Sequence, residues 1–136
     1  MNRINNGALD KDFFVSHVTL TVSREGLTLP YEDRDDWQRK ANGYRCKIKY
    51  EKRSYSFDYW MGSGLKRRPS IEDVLYSHIS DARSGEMSFR EFCNEFGYTD
   101  PPKALRIWEM CKKTTKGMKH LFGNDYERFK EIDFNC

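Results

Sequence analysis

Three histidines, four cysteines and a gathering of lysines and arginines are the side chains of this 136-residue chain best suited to chemistry. Nucleophilic catalysis needs a Cys or Ser beside a His that a carboxylate orients, and nothing in the order of residues brings such a set together. Cys46 alternates with Tyr44 and Ile48, and Cys93 and Cys111 fall on apolar helical stripes, the setting of small core hydrophobes. His78, between Leu75 and Ile79 on such a stripe, reads as a satisfied buried imidazole; His17 and His120 have no metal-ligand pattern near them. Cys46, Cys93, Cys111 and Cys136 lie 47, 18 and 25 positions apart, without zinc-ribbon or redox spacing, so reduced thiols are expected. The chain therefore reads as a non-enzyme with no catalytic residues, no metal and no cofactor.

The stronger signal is electrostatic. Residues 39–68 carry ten basic side chains against Glu51 and Asp58, in a chain of net charge +3, so positive charge is gathered rather than spread. In Asn42 to Tyr50, alternation puts Tyr44, Cys46, Ile48 and Tyr50 on one face of a strand and Arg45, Lys47 and Lys49 on the other. Lys52 and Arg53 fall at the tip of the next turn, and Lys66, Arg67 and Arg68 follow the next strand, where they can extend the same surface. Tyr55 and Trp60 offer rings for stacking. These eight cations are the candidate partner-binding residues. The opposing reading is a solvated strand face whose lysines protect a sheet edge. Glu32, Asp33, Asp35 and Asp36 are either a solvated loop or an acidic patch that imitates a phosphate line. Met61-Gly62-Ser63-Gly64-Leu65-Lys66-Arg67 lacks the spacing of a phosphate-gripping loop and reads as a turn out of a strand.

The scaffold for these residues changes period half-way along. Residues 1–12 are polar and expected to fray; Phe13 to Val22 is rich in aromatic and β-branched residues and predicts a strand. Tyr55, Phe57 and Tyr59 alternate after the basic strand, so the two form a hairpin. Then Ser70 caps a helix with Ile71, Val74, Leu75, His78, Ile79 and Ala82 on one stripe, and Ser88 and Glu91 form a capping box for a second, stopped by Gly97. Asp100-Pro101-Pro102 opens a long helix to Gly123, and a short one is expected from about Asn124 to Lys130. Phe89, Phe92, Phe96, Leu105 and Trp108 are expected to meet in one core. Strands followed by helices predict an α+β domain: a small antiparallel sheet, made of an N-terminal strand plus hairpin, packed against three to four helices in the C-terminal half.

The length suits a single domain over 1–136 with one real core. No apolar run exceeds three residues, so no membrane span can be drawn, and residues 1–12 lack the apolar centre of a signal peptide. A cytoplasmic protein is expected.

Residues 43–122 carry a recurring order of motifs: Tyr59-Trp60-Met61-Gly62-Ser63, Pro69, Asp73-Val74-Leu75, Asp81-Ala82, Ser88-Phe89-Arg90-Glu91-Phe92-Cys93, Phe96-Gly97-Tyr98, and Lys103-Ala104 before Trp108 and Cys111. This order resembles a family of small phage and prophage proteins that is defined by sequence and mostly lacks an assigned activity. The resemblance implies a phage origin and a bacterial host cytoplasm. By analogy with phage proteins of this size it also implies a non-catalytic inhibitor of a host defence system, most readily an anti-CRISPR protein that binds an effector and blocks its nucleic-acid binding or activity. The expected partner is then a CRISPR effector or another defence protein. The alternative is a small nucleic-acid-binding module that uses the basic hairpin.

Overall fold

The computed structural model describes residues 6–27, 42–61 and 67–134. In chain order these form α1 (Asn6–His17), β1 (Val18–Leu27), β2 (Asn42–Tyr50), β3 (Arg53–Met61), α2 (Ile71–Gly85), α3 (Phe89–Phe96), α4 (Pro101–Phe122), a 3-10 turn (Gly123–Asp125) and α5 (Tyr126–Lys130). The strands make one antiparallel sheet in the order β1-β2-β3, covered by helices on one face, which is the expected α+β class. Among the described residues no helix is long and apolar enough to cross a membrane.

The first strand begins at Val18 rather than Phe13. The segment before it is α1, which also takes in Asn6–Asp12, expected to fray. Phe14 and Val18 are four residues apart, a separation that puts both on one side of a strand and of a helix alike, so the pattern alone was ambiguous. Tertiary contact decides it. Phe14 is wholly buried with its ring against Tyr50, Phe122 and Phe129. The Ser16 hydroxyl and the His17 ring each donate to the carbonyl four residues back, at 2.8 and 2.7 Å, and close the last turn. Arg128 of α5 pins α1 from outside, pairing with Asp10 at 2.5 Å and lying over the Phe13 ring at 4.2 Å.

The helices of the second half start and stop where the sequence indicates. Ser70 and Asp73 form a capping box, as do Ser88 and Glu91; Asp100 caps α4, and Gly97 ends α3 at φ 66°. Asp73 also takes Arg67 in a two-pronged ion pair at 2.5 and 3.2 Å, which with the cap holds its carboxyl down at about 2.

The main core lies between the inner face of the sheet (Val18, Tyr44, Cys46, Ile48, Tyr50, Phe57) and the buried stripes of α2 and α4. Gly117 lets α4 reach β3: a Cβ there would stand 2.3 Å from the Tyr55 ring. The expected cluster on α3 and α4 is smaller than the sequence indicates. Phe92 is buried and Phe89 meets Trp108 at 5.4 Å, but Phe96 and Leu105 remain 51% and 40% exposed. An eight-residue helix covers only one side of its neighbour, so stripe residues away from that seam stay in water.

Candidate functional site

β2 is the central strand, and its alternation is strict: Tyr44, Cys46, Ile48 and Tyr50 are buried, while Arg45, Lys47 and Lys49 are exposed on the outer face. A central strand has no free edge to protect, so edge protection does not account for these lysines. The register gives each a hydroxyl-bearing neighbour or a charge. Lys49 lies between Thr19 and Ser54, Lys47 between Thr21 and Ser56, and Arg45 between Arg24 and Asp58.

Charge on this face is unevenly compensated. Arg45 donates to Asp58 at 3.0 Å, with both side chains half exposed, a pair worth under about 1 kcal/mol but enough to neutralise that end of the row. Among the described residues Lys47, Lys49, Lys52 and Arg24 form no ion pair. Two lysines whose backbone positions lie about 7 Å apart along the strand thus stand exposed among four hydroxyls.

Aromatic groups flank the row. At the Lys49 end a shallow depression of about 350 Å³ is lined by Phe13, His17, Thr19, Lys49, Tyr50 and Glu51, and Phe13 and His17 stack at 4.1 Å beside it. At the other end Trp60 shares the outer face with its register partner Gly43, where a Cβ would stand 2.2 Å from the indole ring; glycine lets that ring lie across β2. Tyr55 is not available for stacking. Its ring is turned inward against Phe57 and Gly117, and burial pushes its hydroxyl up in pKa.

The other candidate cations have different duties. Lys52 sits exposed at the hairpin tip. Arg53 points to the inner side and donates to the His120 carbonyl at 2.9 Å, joining the hairpin tip to the C-terminal turn of α4. Arg67 is held by Asp73. Arg68 pairs with Glu25, whose register partner Tyr44 marks the inner face, so neither arginine extends the row. Lys66, the 62–65 turn beyond Met61 and the acidic run Glu32–Asp36 lie outside the described residues.

Sequence reasoning missed Arg24. Counting by twos from Val18 puts it on the inner face, but the register slips between Val22 and Arg24, and the extra residue Ser23 turns Arg24 outward opposite Arg45. No sequence signal marks such a bulge. Thr19, Thr21, Ser54 and Ser56 were missed as well, although their alternation with core-facing neighbours is a signal that could have placed them beside the lysines.

His78, Cys46 and Cys111 are buried in the apolar core, while Cys93 is part exposed. His78 is 6% exposed, its Nδ1 donates to the Val74 carbonyl at 2.8 Å, and loss of water pushes its pKa down to about 4. Cys46, Cys93 and Cys111 are free thiols, and burial pushes Cys111 up to about 12. Asp81, although partly open to water, lies near Cys111, Tyr55 and Tyr59; desolvation there raises it to about 6. Among the described residues no group of three His, Cys, Asp or Glu side chains is placed to hold a metal ion.

Compared with known protein families, characterised proteins and solved structures, the chain gives no match. The residues themselves carry the functional argument.

Proposed function

We propose that this chain is a non-catalytic binding protein that receives single-stranded nucleic acid on the outer face of its sheet. The observation that carries the reading is the pair Lys47 and Lys49, unpaired among the described residues on the central strand and bordered by Thr19, Thr21, Ser54 and Ser56. Lysines at alternate positions match the step between phosphates of an extended strand, and hydroxyls beside them donate to the remaining phosphate oxygens. Trp60 at one end and, at the other, the outer face of the His17 ring that is stacked on Phe13 offer surfaces for unstacked bases, which a duplex does not present. The test is binding of single- and double-stranded oligonucleotides across a salt series. Lys47→Gln with Lys49→Gln is expected to weaken single-strand binding on the sheet face at least about tenfold and to flatten the salt dependence of that binding by about 1.4 in log–log slope. Equal binding by this folded double variant removes the sheet face from consideration.

A second reading rests on the phage-like motif order of residues 43–122: an anti-CRISPR or other anti-defence inhibitor whose basic face occupies an acidic groove of a host effector. It predicts no affinity for oligonucleotides alone and loss of the effector's nucleic-acid binding when the protein is added.

A further inference from the structure

Charge in the second half of the chain is segregated. α4 carries Lys103, Arg106, Lys112, Lys113, Lys116 and Lys119 against Glu109, whereas α2 and α3 hold Glu72, Asp73, Asp81, Glu91 and Glu95 against Arg83 and Arg90, so the near-neutral total of residues 70–136 hides a strongly basic helix. Lys112, Lys116 and Lys119 stand at i, i+4 and i+7, on one face, and all three are exposed. Their α-carbons rise about 6 and about 4.5 Å along the axis, a regular row of ammoniums about 10 Å long.

This row borders a groove of about 540 Å³ lined by Gly85, Glu86, Lys112, Thr115, Lys116 and Lys119. Gly85 lets the end of α2 come to backbone contact with α4, since a Cβ there would meet the Cys111 carbonyl at 2.4 Å. The negative groups in the groove are too few to balance it. Glu86 is already held by Lys130 at 2.7 Å and by the Tyr126 hydroxyl at 2.6 Å, and these contacts, with a smaller pull from Lys119, lower its carboxyl. The C-terminus of α2 contributes at most about half a negative charge. Lys112 rests over Trp108 at 4.5 Å and Lys119 over Tyr126 at 5.6 Å, contacts that orient an ammonium without cancelling it. The opposite side of α4, with Met118 and Leu121, is buried toward the sheet, so the lysine row faces away from Lys47 and Lys49.

We propose that this face of α4 is a second nucleic-acid backbone site, separate from the sheet, so that one chain holds two strands at once. The proposal rests on the reading of the sheet as a strand-binding surface, although its own observations are independent. A repeating anion fits a repeating row of cations, and no exposed aliphatic side chain lies between Lys112 and Lys119 to insert into a membrane or an apolar partner surface.

The experiment is calorimetric titration of the full chain with a single-stranded oligonucleotide of about ten nucleotides, chosen short enough to fill one site. The wild type is expected to bind two per chain. Lys112→Gln with Lys116→Gln and Lys119→Gln should bind one, Lys47→Gln with Lys49→Gln should also bind one, and the three lysines changed to Arg should restore two. A single wild-type site that survives the α4 Gln variant at full affinity overturns this proposal and leaves the sheet reading standing. A single site lost with the α4 variant and kept by the sheet variant overturns the sheet reading, and with it the two-strand arrangement, while α4 remains a backbone site. No binding of the oligonucleotide by the wild type, with capture instead by an acidic protein or by phosphatidylserine vesicles, overturns both. All five altered side chains are solvent-facing, and a circular-dichroism melt of each variant confirms that it is folded; failure of the Arg variant to restore binding also overturns the α4 site.

Discussion

Acidification should weaken this fold through His78, and the size of the effect follows from its surroundings. The imidazole is buried, with its Nδ1 proton given to the Val74 carbonyl and its ring edge-on to Phe57 at 4.4 Å. A second proton would place a cation among rings, which is why the folded value lies at about 4 against 6.5 for a free imidazole. The folded pKa is depressed, so between those values the unfolded chain binds a proton that the folded chain does not, and stability rises with pH. The contribution is complete above about pH 6.5 and falls by about 1.4 kcal/mol per pH unit below it, to a total of about 3 kcal/mol near pH 4. Asp81 opposes this. Its folded value of about 6 exceeds the ordinary 3.8, so in that interval the folded chain holds the extra proton and acid favours folding. Asp73, held at about 2, loses its contribution only as pH falls from 3.8 toward 2, below the range in question. Asp81→Asn therefore isolates the histidine. Urea unfolding of that variant from pH 7 to pH 4.5 should lose roughly 2 to 3 kcal/mol, and the His78 ring should titrate well below 5 by NMR. A ring that titrates near 6.5, or a flat stability profile in Asp81→Asn, would refute the argument.

Phe92→Ala should cost about 3 to 5 kcal/mol in chemical denaturation while Phe96→Ala, at a 51% exposed position, costs under about 1; equal losses would contradict the observed division of α3. Glu51 occupies the hairpin turn at φ 55°, so Glu51→Gly should raise stability by about 0.5 to 1 kcal/mol, read as a higher urea midpoint with unchanged slope. Gly117→Ala should gain about 1 kcal/mol of helix propensity and lose more by pressing on Tyr55, for a net fall of about 0.5 to 2 kcal/mol; a rise in melting temperature would show that the ring can move aside. A thiol reagent at pH 8 should modify Cys93 well before Cys46 or Cys111, because of these three only Cys93 is part exposed and Cys111 is raised to about 12; rapid labelling of Cys111 by mass spectrometry would argue that the α2–α4 seam opens.

The helix starts at Ser70, Ser88 and Asp100 were legible because a cap is a local device: its side chain answers a backbone group three residues away. β2 was legible because one face is fully buried and the other fully charged. α1 was not, since Phe14 and Val18 obey both periods and the contact that decides between them comes from Phe122 and Phe129, more than a hundred residues later. Among the candidate cations, Lys47 and Lys49 followed from alternation, whereas the inward turn of Arg53 and the diversion of Arg67 and Arg68 depend on the His120 carbonyl, Asp73 and Glu25. The α4 lysines were hidden by counting charge over half the chain rather than over one helix.

The junction of α1 with α5 also sets the order in which the chain can finish folding. Phe14 is wholly buried, and Phe129, one of its covers, follows 115 residues later in synthesis. At roughly 5 to 20 residues per second the interval is on the order of 6 to 20 s, far longer than hairpin or helix formation. The nascent sheet therefore waits with one end of its core open, and a hydrophobic ring is offered to chaperones or to neighbouring nascent chains until α5 arrives.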